Sequence, residues 1–118
     1  MRHSFHAGLC TLVLSPLLVA PAVAGTGPDA LTSATRTVTI KDIAFKPGNI
    51  TVQRGTEVRW RFADGPTFHN VRSRGERRFT GSSDRRRGAF RKRFRTAGRY
   101  RYLCTLHRLT MKGVIVVR

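Results

Sequence analysis

The chain has 118 residues, with 23 lysines and arginines against 6 acids, for a formal net charge of +17. That length holds one small domain with a single core and excludes a multidomain enzyme. So basic a balance points to an anionic partner, but no recognised nucleic-acid motif accompanies it, and nucleic acid is not the expected one.

Residues 1–24 begin with Arg2, His3 and His6, continue through the apolar stretch Leu9–Ala20 and end in Ala22-Val23-Ala24. A charged start, an apolar middle and a small-x-small end form a secretory signal peptide, cleaved after Ala24. The apolar run is short and broken by Ser15 and Pro16, which argues against a membrane span. The expected mature chain is therefore exported to the periplasm, cell surface or medium. Cleavage takes Cys10, His3, His6 and Met1 with it, leaving one cysteine, two histidines and one methionine. Residues 25–35, rich in Gly, Thr, Ser and Ala, read as a flexible leader.

From residue 36 to 118 the pattern is that of strands. Arg36–Lys41, Glu57–Phe62 and Gly98–Cys104 alternate apolar and polar residues, at the two-residue period of a strand with one buried face. Val38, Ile40, Val58, Trp60, Phe62, Tyr100 and Tyr102 are thereby assigned to the core. Ile50–Val52 and Gly113–Val117 add β-branched strands, and Phe90–Phe94 a weaker one. Turn signals separate them at 46–49, 53–56, 64–66 and 96–98. No stretch joins a helical period to helix caps, so the expected fold is an all-β, antiparallel Greek-key sandwich. Between residues 72 and 87 lie seven arginines in a glycine- and serine-containing segment, expected to be mobile and exposed.

Chemistry concentrates in one run, Cys104-Thr-Leu-His107-Arg-Leu-Thr-Met111, with the other histidine in Phe68-His69-Asn70-Val71. A lone cysteine cannot form an internal disulfide, and an exported thiol needs another explanation. Burial as an inert residue is the plainer reading. Against it stand an imidazole three residues away and a thioether shortly after. Cys104 has the same parity as Tyr100 and Tyr102, so its sulfur points into the sandwich at a strand end. Two imidazoles, a thiolate and a thioether form the trigonal copper electron-transfer set. Zinc is the rival, but structural zinc takes four cysteine or histidine ligands and does not select methionine, which favours copper.

These motifs resemble the cupredoxin family, in particular plastocyanin, pseudoazurin and amicyanin. The resemblance covers residues 36 to 118 and rests on Phe68-His69-Asn70-Val71, on Gly98–Cys104 and on Cys104-x-x-His107-x-x-x-Met111. It implies one type 1 copper per chain, with His69, Cys104 and His107 as equatorial ligands and Met111 as the weak axial one. It also implies that Asn70 ties the two ligand loops by hydrogen bonding. Three residues, Arg108-Leu109-Thr110, separate His107 from Met111, where plastocyanin-like loops have four and amicyanin-like loops two.

A single saturated site with no spare histidine suits electron transfer and not catalysis. The alternative is a copper carrier or buffer of the exported compartment, for which one candidate methionine is a poor endowment. The expected partner of this monomer is a redox protein with an acidic docking surface, or an anionic cell surface, found faster through long-range attraction.

Overall fold

The computed structural model describes Gly8, residues 15–19 and residues 34–118. The signal-peptide cleavage site and nearly all of the leader lie outside the described residues. Eight strands follow: β1 (Thr35–Lys41), β2 (Ala44–Lys46), β3 (Asn49–Val52), β4 (Thr56–Phe62), β5 (Arg72–Arg74), β6 (Ala89–Phe94), β7 (Gly98–Leu103) and β8 (Lys112–Val117). No helix among the described residues is long and apolar enough to cross a membrane.

The strands form two four-stranded sheets, ordered β2-β1-β4-β6 and β3-β8-β7-β5. The chain changes sheet at every connection from β2 to β7, so each layer is assembled from distant segments. The sandwich is as expected, and its strand directions are more varied than a purely antiparallel one. β1 runs parallel to β4, with Val38 beside Trp60, and β3 runs parallel to β8. Alternation reports which face of a strand is buried and carries no information on a neighbour's direction.

Every side chain assigned inward by parity is buried. Val38, Ile40, Val58, Trp60 and Phe62 face Tyr100, Tyr102, Ile115 and Val117 across the sandwich. Trp60 lies at the centre, with the rings of Phe79, Phe90, Phe94 and Tyr102 all within 6.4 Å of it. Burial pushes the Tyr102 phenol up to about 12. Opposite it, Gly113 is required by packing, because a Cβ there would collide with the Tyr102 ring.

The basic segment from 72 to 87 is packed against the sandwich, contrary to the expectation of mobility. β5 pairs with β7, and Phe79 joins the core cluster. Ser82 is buried, donating its N–H to the Val71 carbonyl and accepting the Val71 N–H on Oγ, both at 2.9 Å. Gly81 sits so close to Val71 that a Cβ would strike its carbonyl. The glycine and serine that suggested flexibility instead permit close approach and satisfy a buried amide. The arginines themselves remain largely at the surface.

Candidate metal centre

Two loops at one end of the sandwich meet here. His69 lies beyond β4 and is held by reciprocal backbone hydrogen bonds with Arg85, each 2.8 Å, and is fully buried. Cys104 follows β7, and its N–H donates to the Met111 carbonyl at 3.1 Å. A 3-10 turn over Thr105–His107 then reverses the chain, and the Met111 N–H closes the loop on the His107 carbonyl at 3.0 Å. Met111 enters the core fully buried as β8 begins. The sequence thus placed both loops correctly, with Cys104 buried at the strand end.

The three strong donors converge. Cys104 Sγ stands 3.9 Å from His69 Nδ1 and 3.6 Å from His107 Nδ1, and all three atoms lie within 4.8 Å of one another. With bonds of about 2.3 Å to sulfur and about 2.05 Å to nitrogen, as for zinc, a trigonal ion separates the two donors by about 3.8 Å. The observed spacings bracket that value. The donor set therefore fits a metal ion without rearrangement of the loops. Among the described residues it is the one cluster of three or more such groups.

Surrounding groups hold each donor in place. Asn70 accepts the Thr105 N–H on Oδ1 at 2.9 Å, and its amide nitrogen donates to Thr105 Oγ1 and to Asp84 Oδ1, both at 2.7 Å. This is the inter-loop tie that the resemblance implied. The Asn70 N–H points at Cys104 Sγ, 3.5 Å away, and fixes the position of the sulfur. His69 turns its other nitrogen to Asp64, with Nε2 2.7 Å from Oδ2. With Nδ1 facing the sulfur, the Nε2–H is the donor to the carboxylate, an arrangement that fixes ring tautomer and orientation.

Asp64 also organises a turn. Its carboxylate accepts the Asp42 and Ile43 N–H groups, each at 3.0 Å. Those residues link β1 to β2 with φ of 54° and 52°, the left-handed conformation of a tight hairpin turn. The Ile43 and His69 hydrogen bonds hold the Asp64 carboxyl below the usual carboxylate range, so it stays ionised. The sequence marked Asp64 only as part of a turn. Nothing local signals its reach across 22 residues to the first hairpin.

One side of the centre is open. His107 is half-buried, and Leu109 is 91% exposed beside it in sequence, with Leu106 and Phe68 about half exposed. Arg86 lies over the Phe68 ring at 5.6 Å. The buried imidazole and the half-buried one thus give the centre an inner and an outer ligand.

Residues 32–118 match the copper binding proteins of the plastocyanin/azurin family. The chain belongs to that family. Among solved structures it is similar to the novel purple cupredoxin from Nitrosopumilus maritimus, at 22% identity over 70% of this chain and 98% of that one, with a TM-score of 0.62. A reduced amicyanin variant matches at 27% identity over 75% of this chain and 86% of that one, TM-score 0.60. The copper-containing nitrite reductase from Thermus scotoductus shares the fold at 24% identity, covering 91% of this chain but 27% of that one, TM-score 0.63. No curated protein matches the chain. As a member of this family the protein is a type 1 copper protein with one copper site per chain.

Proposed function

We propose that this protein is an exported one-electron carrier, with copper held by His69, Cys104 and His107 and capped axially by Met111. The observation that carries the reading is the convergence of one sulfur and two Nδ1 atoms in a loop pair tied by Asn70. Bound copper supplies a one-electron couple. The protein's own contribution is rigidity: Asp64 orients the inner imidazole, the Asn70 N–H fixes the sulfur, and the 3-10 turn holds His107 at the surface. Fixed donors keep the reorganisation on electron exchange small.

The half-buried His107, with Leu106, Leu109 and Phe68 exposed on the two ligand loops, suits a partner that presses an apolar patch against this end. Arg108 and Arg86 beside it favour an acidic rim on that partner. Transfer to the partner is therefore expected to slow steeply as salt is raised, and a salt-independent rate contradicts electrostatic steering.

Adding Cu(II) to the purified protein tests the ligand assignment. An intense visible thiolate-to-copper charge-transfer band is expected, lost in Cys104→Ser. A colourless wild type, or a band that survives the substitution, refutes the assignment. Slow copper loss to a chelator is expected of an electron carrier, and rapid exchange would assign the protein to copper transport or buffering instead.

A further inference from the structure

Outward-facing residues of β7 are Arg99 and Arg101, since Tyr100 and Tyr102 between and beside them fill the core. β5 sets Arg74 directly across from Arg101. Like charges facing each other on neighbouring strands destabilise a sheet. The chain beyond β5 adds a further cation instead of relieving the pair. Gly75, at a φ of 79°, turns the backbone, and Arg77 lies across Gly98, where a Cβ would collide with its Cδ and Nε. Gly98 thus leaves open the space that the Arg77 side chain occupies.

Arg74, Gly75, Glu76, Arg77, Arg99 and Arg101 line a concavity of about 360 Å³. None of its four arginines makes an ion pair or side-chain hydrogen bond among the described residues. Glu76 is the single carboxylate in the lining, which leaves a net charge of +3. The opposite face of the sandwich is built differently. There Arg91 and Arg93 share Glu57 between them, at 3.5 and 3.8 Å. On the β5–β7 face no carboxylate among the described residues pairs with the arginines.

We propose that this concavity binds a phosphate oxyanion of two or more charges. Each guanidinium offers planar paired donors that match phosphate oxygens two at a time. One carboxylate has about four lone-pair sites, too few for the donors of four arginines, whereas a phosphate or diphosphate has more oxygens and more charge. The site is separate from the metal centre, since its lining shares no residue with the His69, Cys104 and His107 cluster. Free phosphate and a phosphate-bearing lipid headgroup present the same chemistry to it.

The test titrates the copper-loaded protein with inorganic phosphate and with diphosphate, at an ionic strength held constant by chloride, and follows amide and guanidinium NMR shifts. Saturable shifts confined to β5, β7 and the Gly75–Arg77 turn are expected, with affinity at least tenfold weaker in Arg74→Gln/Arg101→Gln and unchanged in Arg91→Gln. Thermal unfolding supplies a second readout: Arg101→Thr should melt above wild type in chloride, and phosphate should close that gap by raising wild type alone. Binding to vesicles containing phosphatidic acid, displaced by diphosphate, assigns the headgroup as a source; free phosphate binding without vesicle binding assigns the soluble anion. Shifts that follow ionic strength alone, or that weaken equally in Arg91→Gln, overturn the proposal.

Discussion

Replacing Asp64 by asparagine removes a full negative charge 2.7 Å from the Nε2 of His69 while keeping the side chain's shape and one acceptor oxygen. Across the imidazole ring and one coordination bond, the carboxylate stands about 6 to 7 Å from an ion held at Nδ1, and at an effective dielectric of about 20 that charge is worth about 2.5 kcal/mol. The side chain is 16% exposed, so solvent screens part of the interaction. Halving it for screening leaves a range equivalent to about 50 to 110 mV for a one-electron couple. A negative charge stabilises Cu(II) over Cu(I), so Asp64→Asn should raise the reduction potential. Spectroelectrochemistry of wild type and variant measures the difference directly. The visible spectrum serves as the control that the ligands are still in place. An unchanged or lowered potential in a variant with the wild-type spectrum refutes the electrostatic reasoning.

Three further outcomes test other parts of the structure. Ile43 holds a φ of 52° at an exposed turn position, where a β-branched residue is strained. Ile43→Asn should therefore stabilise the fold by about 1 kcal/mol in urea denaturation. Met111→Leu conserves volume in a fully buried position and should cost less than about 1.5 kcal/mol in the apo protein. Loss of its thioether should nonetheless raise the reduction potential, and an unmoved potential would argue that Met111 only packs. Tyr102, pushed up to about 12 by burial, stays neutral in the fold after it would ionise near pH 10 unfolded. Its folded pKa is the higher of the two, so its contribution to stability is complete below about pH 10 and falls away by up to roughly 3 kcal/mol as pH rises to about 12. Urea midpoints across that range should converge on a shallower slope in Tyr102→Phe.

Much of the centre was legible because its donor types are scarce. Once residues 1–24 are set aside, Cys104, His69, His107 and Met111 are every cysteine, histidine and methionine left, and rarity in a motif survives translation into three dimensions. Strand parity was equally legible, since burial of one face imprints a two-residue period on the chain itself. That is why Tyr100, Tyr102 and Cys104 could be aimed inward before any fold was known. β2 and β5 escaped notice because three residues are too few to display a period. Gly81 and Ser82 misled because small residues mark both loose chain and close packing, and only the position of Val71 separates the two.

The sandwich, its core and the cluster of His69, Cys104 and His107 are written in residue type and local spacing. The tertiary structure decided what surrounds them. Parallel pairing of β1 with β4, the hydrogen bonds from the Asp42 and Ile43 hairpin turn to the Asp64 carboxylate, and the facing of Arg74 with Arg101 all join residues 20 or more positions apart. Such pairings depend on how the chain crosses between sheets, and no local pattern of residues encodes that path.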